Sequence, residues 1–169
     1  MSDDRHEPEA EIKVKKKILI LIAAIFASAM LTACGEDREL TQFRKSIDDF
    51  CEKVSQIDSA MNNIDAEADN AVSEFLGYLD DLDLIFQSFA KMDFPAEFDY
   101  LEQTADEASN YMTTAVENYH EAYSNGSYNE YIAEYAYGNY SRACKRIQII
   151  LSFLRGETPD DVDIITEPE

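Results

Sequence analysis

A chain of 169 residues, 46% of them apolar, with nine Phe, ten Tyr and no Trp, can pack one domain and is too apolar for wholesale disorder. The formal net charge of −21 makes an exterior that repels phosphate backbones, so no nucleic acid partner is expected. The excess is confined to residues 34–169, which hold nine basic and thirty acidic residues, whereas residues 1–33 carry five of each. Between Lys91 and Arg142 there is neither Lys nor Arg.

The chain opens with a basic run, Lys13, Lys15, Lys16 and Lys17, followed by an apolar stretch from Ile18 to Ala33 that only Ser28 and Thr32 interrupt. This is the charge and hydropathy order of an export signal. At 1.5 Å per residue the stretch reaches about 24 Å, short of the ~30 Å hydrocarbon core, which argues against a permanent spanning helix. It ends in Leu31-Thr32-Ala33-Cys34-Gly35. That pentapeptide resembles the lipobox of bacterial lipoprotein precursors, with Leu three places before the cysteine and small residues between.

The resemblance implies that Cys34 receives a diacylglyceryl group and that residues 1–33 are cut away as a signal peptide. Residues 34–36 are then a lipidated tether, and the partner is the membrane itself. Two acyl chains hold a protein stably where one holds it only marginally. Gly35 stands where the inner-membrane retention signal of Gram-negative lipoproteins has Asp, and the compact box favours the outer face of a Gram-positive plasma membrane. The remainder has a general likeness to small helical lipoproteins that implies no activity.

From residue 37 the apolar positions recur at steps of three and four, the period of a helix with one buried face. The first stripe is Phe43, Ile47, Phe50, Val54, Ile57, Met61 and Ile64, and the second is Val72, Phe75, Leu79, Leu82, Phe86 and Phe89. The third runs Phe98, Leu101, Ala105, Ala108, Met112, Ala115 and Tyr119, and the fourth Ile132, Ala136, Asn139, Ala143, Ile147, Ile150 and Leu154. No segment alternates with period two, so the expected class is all-α.

Asp93-Phe94-Pro95 should end the second helix and open the third, with Pro near its first turn. Ser124-Asn125-Gly126 should stop the third, Ser127 with Glu130 should form a capping box for the fourth, and Gly156 and Pro159 should stop that one. The break at Asn62-Asn63-Ile64-Asp65 decides the architecture. With it, four helices of similar length pack as an up-down four-helix bundle over residues 37–155. Without it, a three-helix arrangement with one first helix about 80 Å long results, and half of that helix's apolar stripe lacks a partner. The bundle is the expected fold. Residues 156–169, acidic and Pro-containing, read as a disordered tail.

Few constellations suggest chemistry. Cys51 and Cys144 fall at similar heights on helices one and four, so they are either a disulfide closing a loop of about 93 residues or two small buried apolar residues. Glu117-x-x-His120 has the spacing by which helices present two metal ligands, but the only other histidine, His6, lies in the segment to be removed. No metal site and no cofactor are expected, and His120 suits the negative end of helix three. Asp80, Asp81 and Asp83 read as a solvated face, and Arg142, Lys145 and Arg146 as partners for Asp48, Asp49 and Glu52 on helix one.

Seven of the ten tyrosines lie between Tyr119 and Tyr140. Tyrosine pairs an apolar ring with a polar tip and is enriched at binding surfaces, so Tyr123, Tyr128 and Tyr131 are candidate interaction residues; packing of the rings within the bundle is the competing reading. No Ser/His/Asp set or phosphate loop is present, and a non-enzymatic interaction or envelope module is expected. A small-ligand or metal-binding lipoprotein is the alternative.

Overall fold

The computed structural model describes residues 38–124 and 128–157. Four α-helices carry them: α1 (Arg38–Asn62), α2 (Ala71–Ala90), α3 (Glu102–Ala122) and α4 (Glu130–Leu154), with a 3₁₀ turn at Asp99–Leu101 leading into α3. Among the described residues there is no β-strand. The chain forms a four-helix bundle in up-down order, each helix packing mainly on its neighbour in sequence. The single long first helix is excluded.

The break after Asn62 has a local cause. The side chains of Asn62 and Asn63 donate to the carbonyls of Asp58 and Ser59, at 3.0 and 2.7 Å, while the backbone amides of Asn63 and Ile64 bond three residues back, to Ala60 and Met61, and end the α-helical ladder. Asp65 then accepts from the amide of Glu67 at 3.1 Å, and a string of turns delivers the chain to Ala71. The connection therefore consumes residues 63–70, and α2 is shorter than the sequence pattern suggests.

Two other boundaries differ from expectation. Pro95 lies outside α3, which starts seven residues later at Glu102, because residues 96–98 form a turn that drives Phe94 and Phe98 against Phe43 of α1. The cap of α4 is Asn129, whose side chain accepts from the amide of Ile132 at 3.3 Å. Ser127 lies outside the described residues. Gly156 does stop α4, at φ 72°: its amide bonds to the Phe153 carbonyl, and that of Glu157 to Ser152, both at 2.9 Å. Only a residue without Cβ takes this left-handed closing position without strain.

The four stripes meet in one core, and its two halves are built differently. The facing positions of α3 and α4 are small: Ala105, Ala108, Ala115 and Ala122 against Ala133, Ala136 and Ala143, all without solvent exposure. Small side chains let backbones approach, and the α3–α4 pairing is the most extensive in the molecule. Between α1 and α2 the contacts are rings, with Phe50 4.4 Å from Phe89 and 5.5 Å from Phe86, centroid to centroid. Rings hold helices further apart, and the α1–α2 backbones make the least close approach of the three sequential pairs.

The topology puts both the start of α1 and the end of α4 at one end of the bundle, together with the α2–α3 connection. The edge contact of Tyr100 with Phe153 at 5.8 Å and the field of Arg155 at Cys51 mark that end. The opposite end carries the 63–70 connection and the α3–α4 hairpin.

Candidate functional site

The hairpin end is where the tyrosines gather, and the structure sorts them by depth. Tyr119 and Tyr140 are core residues with no exposed surface. Tyr123, Tyr128 and Tyr137 are half-buried. Tyr131 and Tyr135, one turn apart on α4, are 87% and 58% exposed.

Helical period explains the sorting. Tyr119 continues the alanine stripe of α3, and Tyr140 lies one turn before Cys144 on the inner face of α4. Tyr131 and Tyr135 occupy the outer face. The three candidate interaction residues are therefore divided. Tyr123 packs edge-on against Phe75 at 6.1 Å and tilts onto Tyr128 at 5.2 Å, so these two close the core beneath the hairpin, while Tyr131 alone of the three stands out in solvent. Its true companion is Tyr135, which shares its face. A step of four from Tyr131 within a helix already assigned is the signal that identifies it.

The surroundings of the exposed pair are acidic. Glu130 and Glu134 flank Tyr131 on α4 and are exposed, as is Glu121 near the end of α3. Behind the pair, the Asn139 side chain donates to the Tyr135 carbonyl at 3.1 Å and accepts from Arg142, which secures this buried polar residue within α4.

Two of the three basic residues, Arg142 and Arg146, contact α3. Arg146 Nε donates to Glu107 Oε2 at 2.6 Å, and the guanidiniums of Arg142 and Arg146 lie 5.8 and 5.9 Å from the centre of the Tyr111 ring. The close α3–α4 packing brings Glu107 and Tyr111 within reach of these two guanidiniums. The acidic positions of α2 likewise serve a seam. Asp83 accepts from Thr113 of α3 at 2.6 Å and from Gln87 at 2.8 Å, and His120 Nε2 lies 2.7 Å from Asp80 Oδ1. His120 is in the last turn of α3, where the helix dipole favours a cation.

Cys51 and Cys144 are buried, free thiols, and no bridge joins them. Their neighbours differ: Cys51 lies within the fields of Asp48 and Arg155, Cys144 beside Tyr140. Burial pushes the Cys51 thiol up to about 11, with Asp48 adding to the rise, and the Cys144 thiol up to about 12 against a lowering contact from the Tyr140 hydroxyl. Thiols held so far into the neutral form are poor nucleophiles and poor metal ligands.

Among the described residues no three of His, Cys, Asp and Glu gather as metal ligands, and no helix is long and apolar enough to cross a membrane. Cys34, residues 1–33, the 34–36 tether and most of the acidic tail lie outside the described residues. No family model matches the chain, and neither a curated protein nor a solved structure is similar to it.

Proposed function

We propose that this protein is a lipid-anchored extracytoplasmic module, held on the outer face of the plasma membrane by a diacylglyceryl group on Cys34, whose helical bundle recognises a protein or envelope partner and catalyses no reaction. The observation that carries the anchoring is the ordered run of basic residues, short apolar stretch and Leu31-Thr32-Ala33-Cys34-Gly35.

On this reading the end holding the start of α1 lies against the bilayer, and the hairpin end stands about 37 Å away, the length of a 25-residue helix. That distal end carries Tyr131 and Tyr135 among carboxylates, the most exposed aromatic surface on α4. Exposed tyrosine supplies area at little entropic loss, which suits recognition.

Intact mass of the membrane-extracted protein tests the anchor. A chain beginning at Cys34 with a diacylglyceryl increment is expected, and a full-length, unmodified mass would refute it. For the recognition surface, crosslinking on intact cells compares the natural protein with Tyr131→Ser/Tyr135→Ser. Loss of a crosslinked species in the variant supports the surface; the same species in both places the contact elsewhere.

A further inference from the structure

The outer face of α4 carries a residue that its own fold does not require. Tyr131, Glu134, Tyr135, Gly138 and Arg142 recur at the spacing of a single helix face. Gly138 lies in the helix interior, where glycine weakens a helix relative to Ala. No close approach within the domain calls for it, since a Cβ at Gly138 would meet no atom within 4 Å. The same holds for Gly77 on α2, but the residues one turn away there, Ser73, Glu74, Asp80 and Asp81, include no ring. At Gly138 the missing side chain leaves an open notch beside the two exposed rings of Tyr131 and Tyr135. Bare backbone of this kind lets another chain approach closely.

The molecule shows elsewhere what a tyrosine beside a carboxylate holds. On α3, Glu107 and Tyr111 are one turn apart; Glu107 accepts from Arg146 Nε at 2.6 Å, and the guanidiniums of Arg142 and Arg146 lie 5.8 and 5.9 Å from the centre of the Tyr111 ring. Tyr131 and Glu134 are likewise one turn apart, and Glu130, Tyr135 and Glu121 extend the same chemistry at the hairpin end, all of them exposed. The chain supplies no Lys or Arg between Lys91 and Arg142. Arg142 itself, one turn beyond Gly138, leans over Tyr111 and donates to Asn139 Oδ1 at 3.5 Å, and it bounds the anionic stretch.

We infer that the outer face of α4 at the hairpin end binds an arginine-bearing segment of another polypeptide, whose guanidiniums stack on Tyr131 and Tyr135 and pair with Glu130 and Glu134 while its backbone crosses Gly138. Guanidinium is the cation that suits both contacts. It is planar and weakly hydrated, stacks on rings and forks onto a carboxylate, whereas a lysine ammonium meets either as a point charge. The acidic exterior draws such a segment in before contact is made. The inference rests on the hairpin end being a recognition surface and names the chemistry of its partner.

A fluorescent arginine octamer, titrated against the purified full chain in a neutral detergent at about 0.15 M salt, tests it, with lysine and glutamate octamers for comparison. The arginine octamer should bind tightest and the glutamate octamer not at all. Tyr131→Ser/Tyr135→Ser leaves the charge unchanged and should weaken the arginine octamer about tenfold. Gly138→Gln fills the notch and should weaken it severalfold while raising Tm, because a better helix former enters a site with room for it. Glu130→Gln/Glu134→Gln should weaken it more than Asp81→Asn/Glu97→Gln, which removes the same charge elsewhere on the domain. Equal affinity in the natural protein and the tyrosine variant, equal losses from the two carboxylate pairs, or lysine bound as tightly as arginine overturns the inference, because the attraction is then to net charge alone. Unchanged binding by Gly138→Gln overturns it too.

Crosslinking on intact cells separates this outcome from the wider reading. If the arginine octamer fails while the crosslinked species still needs Tyr131 and Tyr135, recognition stands and the arginine-bearing partner is overturned. If the species forms without those rings, both fall.

Discussion

Phe50→Ala should release α1 from the bundle while leaving α3 and α4 docked. Phe50 is 5% exposed and contacts Phe86 and Phe89 of α2 ring to ring. Removing a buried Phe side chain costs about 3–5 kcal/mol, a figure that includes the cavity left behind and the two aromatic pairs. A value near 4 kcal/mol is a large share of the 5–15 kcal/mol that stabilises an ordinary domain. It falls on the helix with the least close backbone approach to its neighbour.

If the loss is confined to α1 docking, the opening equilibrium of that helix shifts by about a thousandfold, at 1.4 kcal/mol per factor of ten. Hydrogen exchange read by mass spectrometry should show α1 amides around Ile47–Ile57 exchanging about a thousand times faster. Amides of α4 between Ala136 and Ile147 should stay within about tenfold of the natural protein. Equal acceleration in all four helices would refute the reasoning, because it would mean that the bundle opens only as one unit.

Three further outcomes follow from the same structure. Gly156→Ala places a Cβ at φ 72° and should destabilise by about 1 kcal/mol, seen in calorimetry as a Tm lower by a few degrees. Asn129→Ala removes the side-chain cap of α4 and should cost about 1 kcal/mol in denaturant unfolding, with the m-value unchanged. The buried thiols also make stability depend on pH. Their native pKa values of about 11 and about 12 exceed the unfolded value of 9.0, so the unfolded chain loses protons first. Stability should therefore be intact below pH 9 and fall between 9 and about 11, by up to about 1.4 kcal/mol per pH unit for each thiol. Cys51→Ala/Cys144→Ala should flatten that slope, as checked by urea unfolding at each pH.

The fold was legible because the apolar stripes are clean. Of the second stripe, Phe75, Leu79, Leu82, Phe86 and Phe89 are all buried, and only Val72, in the first turn of α2, is partly exposed. The break after Asn62 was legible from its two amide side chains, but not its extent, since an eight-residue connection rests on turns that no periodicity reports. The cap of α4 was misplaced for a related reason. Ser127 and Glu130 fit the capping pattern, yet Asn129 is itself a strong cap next to the first helical residue, and spacing alone cannot rank the two.

Arg146 pairs with Glu107 of α3, a partner that charge patterning did not single out. Charge complementarity between helices one and four ignored how close each pair of helices can come, and the alanines of α3 and α4 decide that. The tyrosines were misjudged in part for lack of depth: residue type places Tyr123, Tyr128 and Tyr131 together, whereas phase around the helix axis puts the first two under the hairpin and the third in solvent.

That difference in seam chemistry bears on the proposed role. The alanine-lined α3–α4 pair is the most closely packed part of the molecule, and it is the pair that presents Tyr131 and Tyr135. A recognition surface there is held rigid before a partner arrives, which reduces the ordering loss on binding. The first described helix after Cys34 in sequence is instead α1, seated on α2 by the rings of Phe50, Phe86 and Phe89. On the proposed anchoring, strain passed to the domain through Cys34 enters at the helix with the least close backbone approach to its neighbour. That helix thus follows the proposed tether in sequence, and the rigid pair carries the surface proposed to meet the partner.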